Sequence, residues 1–68
     1  MQISNKAIEM ITGNHRILGR LCSQFDRHMK TIENWIDSKD IRLTTPNAVQ
    51  IIKEETGMNE SEILDPEN

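Results

Sequence analysis

Two short apolar stripes set close together constrain this chain most. In the stretch from Leu18 to Asp37, the first stripe is Leu18, Leu21, Cys22 and Phe25, at the i, i+3, i+4, i+7 spacing of one helix face. The second is Ile32, Trp35 and Ile36 at the same kind of spacing. Between them stands the polar triplet Asp26-Arg27-His28, which offers Asp26 as a cap for the following helix. Neither helix can bury its stripe alone, so the two must fold against each other and against the rest of the chain. A helix-turn-helix is the economical solution, and it leaves the second helix displayed to a partner.

The remaining segments also read as short helices. The expectation is one domain over 1–68, all-α, a compact bundle of four to five helices at about 4–12, 15–25, 28–37, 46–56 and 60–64. Ser4 or Asn5 caps the first, whose inner stripe is Ile8 and Ile11. Gly13 stops it, and Asn14 caps the next. Gly19, inside that second helix, costs about 1 kcal/mol relative to Ala and offers room for the close approach of another helix. In the polar loop after helix three, Ile41 and Leu43 are the residues to anchor it. Thr45 followed by Pro46 opens helix four. Its inward residues are Val49, Ile52 and either Ala48 or Ile51, and Gly57 ends it. Met58 then returns to the core. Asn59 with Glu62 resembles a capping box for a last helix carrying Ile63 and Leu64, and residues 65–68 form a frayed tail. No alternating strand pattern or hairpin signal is present.

Charge divides the chain. Residues 1–42 carry seven Lys or Arg against five acids, whereas 43–68 carry one against six, for a net charge of −3. Such a chain can present a basic face while acidic overall. The acids from Glu54 onward read as a solvated face. At 68 residues the core is small, so a homodimer is a possible partner arrangement. The single Cys22 admits no internal disulfide and reads as a small core residue. With no signal peptide or membrane-length apolar run, the expected location is the cytoplasm, with no membrane partner.

From Leu21 to Leu64 the chain resembles the lambda-repressor/Cro-type (XRE-like) DNA-binding domain. Leu21-Cys22 is similar to the Leu-Ala pair of the family's second helix, and Phe25 to the apolar residue before its turn. Thr31-Ile32-Glu33-Asn34-Trp35-Ile36 is similar to the T-V-x-x-W-x form of its recognition helix. The segment from Leu43 to Leu64, with Gly57-Met58 and Glu62-Ile63-Leu64, resembles the closing T-x-x-x-L-x-x-I-A-x-x-L-G-V-x-x-x-E-L pattern. Three positions depart: Leu18 stands where the family has Gln, Asp26 where it has Gly in the turn, and Asp37 where a neutral or basic residue is common.

The resemblance implies sequence-specific binding of double-stranded DNA by a transcriptional regulator of the phage or plasmid repressor type, as a dimer on two half-sites. Met29, Lys30 and Asn34 then read bases, with Thr31 and His28 beside them. Lys can donate to guanine, Asn can pair with adenine, and Met or a Thr methyl can touch thymine. Arg16, Arg20, Arg27, Lys39 and Arg42 hold phosphates. Plainer roles exist for the same residues. Met29 can be core, Lys30 can pair with Glu33 or Asn34 on a solvated face, His28 can be an ordinary surface residue, and Trp35 is core. Leu18, Asp26, Asp37 and the overall acidity favour the rival reading, a protein-interaction module (adaptor or inhibitor) on the same fold. Nothing resembles a catalytic constellation, a phosphate loop or zinc spacing, so neither an enzyme, a small-molecule substrate, a cofactor nor a metal site is expected.

Overall fold

Several helices begin at a residue whose side chain satisfies the first orphan amides, although His28 before the third α-helix and Thr45 before the fourth make no such bond. In the computed structural model, which describes residues 2–65, helix α1 (Asn5–Ile11) starts behind Ser4. The Ser4 hydroxyl accepts the Ala7 N–H at 3.1 Å and donates to the Glu62 carbonyl at 2.6 Å, so one cap also ties the two ends of the chain. Helix α2 (His15–Phe25) starts behind Asn14, whose side-chain oxygen accepts from the amides of Arg16 and Ile17, each at 3.1 Å. Helix α3 is Met29–Ser38 and helix α4 is Pro46–Thr56, with Pro46 in the first turn where no N–H is needed. A 3-10 helix, Ile41–Thr44, lies between them and is capped by Asp40. Helix α5 (Glu60–Ile63) carries the reciprocal capping box of Asn59 and Glu62 that the sequence predicts.

Several details differ from the sequence expectation. Asp26 does not cap α3. It closes α2 in the left-handed region, at φ 54° and ψ 49°, while the Arg27 amide donates to the Cys22 carbonyl at 3.1 Å. His28 takes the capping position of α3 and makes no capping bond with its side chain. The last helix stops at Ile63. Leu64–Asp65 is instead a strand, β2, pairing antiparallel with β1 (Gln2–Ile3) in the register Gln2 to Asp65 and Ile3 to Leu64. A two-residue strand has no periodicity to read, because its partner is remote in sequence. The expected tail therefore begins as paired strand at Asp65, and residues 66–68 lie outside the described residues.

The core draws on every helix. Ile3, Ile11, Ile17, Leu21, Ile32, Leu43, Ile52 and Ile63 are completely buried. Each contributes about 1.5–3 kcal/mol relative to an exposed position. Both Ala48 and Ile51 face inward along with Val49 and Ile52, so α4 is held on a broader face than the three residues expected from the sequence. Leu43 anchors the loop after α3, whereas Ile41 is 73% exposed and anchors nothing. Helix α2 packs on both α3 and α4. Gly19 is exposed on its outer side, and no other element approaches it: a Cβ there meets nothing within 4 Å. The result is a small helical bundle closed by one two-stranded ribbon. No helix among the described residues is long and apolar enough to cross a membrane.

Candidate nucleic-acid interface

Helix α3 is pinned along one side. Ile32 is fully buried, and Trp35 and Ile36 nearly so, because their spacing keeps them on one stripe. That leaves Lys30 and Asn34, four residues apart, on the outer face, and both are exposed. Thr31 is half-buried at the edge of the stripe. Met29 is exposed rather than core, and His28 and Arg27 are exposed at the entry to the helix. Lys39 closes α3 in the left-handed region at φ 52° and is half-buried.

Three of the cations around α3 and the two arginines on α2 are treated differently by the fold. Arg27, Lys30 and Lys39 make no ion pair among the described residues. Arg42 lies over Trp35, with its guanidinium carbon 4.8 Å from the ring centroid, and its Nη1 meets Asp40 Oδ2 at 3.1 Å. The stacking and the ion pair together hold the guanidinium beside the end of α3.

Arg16 and Arg20, by contrast, are taken up by α4. Arg16 Nε meets Glu55 Oε1 at 2.9 Å. Arg20 meets Glu54 Oε1 at 2.8 Å and Glu55 Oε2 at 3.0 Å. Gln50 Nε2 donates to the other Glu54 oxygen at 2.9 Å. The Gln50 and Arg20 hydrogen bonds hold the Glu54 carboxyl below its ordinary pKa, and the hydrogen bonds to Glu54 and Glu55 hold Arg20 above its own. Glu54 and Glu55 are therefore not the simply solvated face that the sequence implies. The two arginines of α2 are far in sequence from the glutamates of α4, and only the packing of α2 on α4 brings them together.

Acidic groups also border the outer face of α3. Glu33 and Asp37 are both exposed and line a cleft of about 190 Å³ with Thr12, Gly13, Leu18 and Ile36. Leu18 is buried there as part of the core, so this position offers no polar group to a phosphate. Cys22 is half-buried against the core. Among the described residues no group of three or more His, Cys, Asp or Glu is placed to hold a metal ion.

Chemically, this surface offers an ammonium and a carboxamide on one exposed helix face, with further cations at both ends of the helix. A carboxamide can satisfy a donor and an acceptor on one base edge, and an ammonium can donate to purine acceptors. No family model matches the chain, and comparisons with curated proteins and with solved structures find no match either.

Proposed function

We propose that the chain is a sequence-specific binder of double-stranded DNA, acting as a repressor-like transcriptional regulator. In this reading α2 and α3 form a lambda-repressor-type helix-turn-helix. Helix α3 enters the major groove; Lys30 and Asn34 read base edges, with His28, Met29 and Thr31 beside them. Arg27, Lys39 and Arg42 meet phosphates on either side. One observation supports the reading: Lys30 and Asn34 are exposed together on α3, and Lys30, Arg27 just before the helix and Lys39 at its end make no ion pair among the described residues. Cations with no ion pair among the described residues, on and at the ends of a helix with a polar outer face, suit a polyanion whose bases lie at helix depth.

Selection of bound duplexes from a random DNA pool tests this. The expected result is an enriched sequence whose affinity falls with salt, with a slope of about −3 for these three phosphate contacts. Failure to enrich any sequence contradicts the reading. A second reading, a protein-interaction module, is favoured by Glu33 and Asp37 on the same exposed side of α3. It gives no enriched duplex and no salt-dependent affinity for DNA.

A further inference from the structure

We propose that Glu54 and Glu55 act as an intramolecular stand-in for phosphate, holding Arg16 and Arg20 away from DNA and so limiting how strongly the domain grips the backbone. The inference rests on the DNA-binding reading above. Arg16 and Arg20 lie four residues apart in the first half of α2. In a helix-turn-helix on DNA, this first helix is the one that crosses the sugar-phosphate backbone. Both arginines converge on Glu55, whose side chain is only 15% exposed, so one carboxylate accepts from two guanidinium groups. Glu54 takes the second Arg20 contact and is itself held by Gln50. Adjacent carboxylates offering several acceptor oxygens to guanidinium forks reproduce the pattern that a phosphate offers.

The hold is also reversible. Arg16 remains 80% exposed although paired, and Arg20 and Glu54 are 42% and 45% exposed, so water reaches both guanidinium groups and screens these pairs. A polyanion can therefore compete for these arginines, but only against the two carboxylates. The contact makes α2 a poorer phosphate binder than its arginines alone imply, so base contacts from α3 carry a larger share of the affinity. Selectivity for one sequence over random DNA rises as a consequence, since backbone contacts favour all sequences alike.

The test uses the full chain carrying Glu54→Gln and Glu55→Gln, with a charge-matched control carrying Glu9→Gln and Glu60→Gln. Binding to a random-sequence duplex is measured across salt concentrations for both and for the wild type. The expected result is that the Glu54/Glu55 variant binds random duplex several-fold more tightly at low salt. Its salt slope steepens by about one to two, at roughly 0.9 for each added phosphate contact. The control keeps the wild-type slope, and adding Arg16→Gln and Arg20→Gln to the Glu54/Glu55 variant removes the gain. A wild-type slope in the Glu54/Glu55 variant, with the wild type itself binding DNA, overturns the inference and leaves the function standing. If neither protein binds any duplex, selected or random, the DNA reading fails and the inference with it. Glu54→Gln alone repeats the test with one arginine contact released, should the double variant fold poorly.

Discussion

Phe25, the last residue of α2, meets Trp35 of α3 edge to face, with ring centroids 5.1 Å apart and planes at 86°. The positive rim of one ring lies against the negative face of the other. Trp35 also carries the Arg42 guanidinium, so a single side chain joins α2, α3 and the following 3-10 helix. Phe25→Leu keeps an apolar side chain but removes the ring-to-ring contact. It should lower stability by about 1 kcal/mol. Urea unfolding checks this, as a lower midpoint with an unchanged slope.

Two positions in and after α2 should respond in opposite directions. Gly19 sits in the body of the helix, and a Cβ there meets nothing within 4 Å. Gly19→Ala should therefore stabilise the chain by about 0.5–1 kcal/mol, because the unfolded chain loses freedom and the folded one gains no clash. Asp26 occupies the left-handed region, where Asp is better tolerated than Ala. Asp26→Ala should lower stability by about 0.5–1 kcal/mol, and Asp26→Asn should be close to neutral. Thermal unfolding of the three variants decides the order.

Acid should loosen the joint between the chain ends. Glu62 accepts the Asn59 amide at 2.9 Å and the Lys6 ammonium at 2.9 Å, which hold its carboxyl below the ordinary value of 4.5. A carboxyl that binds its proton less readily when folded stabilises the fold above its unfolded pKa. That contribution is fully present above about pH 4.5 and is lost as pH falls through the lowered folded value. Glu62→Gln should flatten the acid limb of a plot of unfolding midpoint against pH. An unchanged limb assigns the acid sensitivity to other carboxyls, such as Glu54.

Local chemistry made much of the fold legible. Asn14, Gly57 and the Asn59–Glu62 box act within a few residues of themselves, so their roles could be read directly from sequence. The stripe of Ile32, Trp35 and Ile36 followed from helical spacing, as did the outward side of Lys30 and Asn34. The partners of Arg16 and Arg20 were not legible, because Glu54 and Glu55 reach them only through the packing of α2 on α4. The β1–β2 ribbon joins opposite ends of the described chain for the same reason. Asp26 misled because Asp serves both as a helix cap and as a left-handed turn residue, and the tight turn here uses the second property. Ile41 misled because hydrophobicity alone does not say which residue of a short 3-10 helix turns inward; Leu43 takes that place.

The most direct measurement is the affinity of the Lys30→Ala, Asn34→Ala double variant for a duplex selected by the wild type. Both residues are exposed, so helical circular dichroism should be unchanged. If this face reads bases, affinity for the selected duplex falls by about 30-fold or more, since each good base contact is worth about 1–3 kcal/mol. Affinity for random duplex falls far less. Wild-type affinity for the selected duplex in the folded double variant contradicts a reading role for α3.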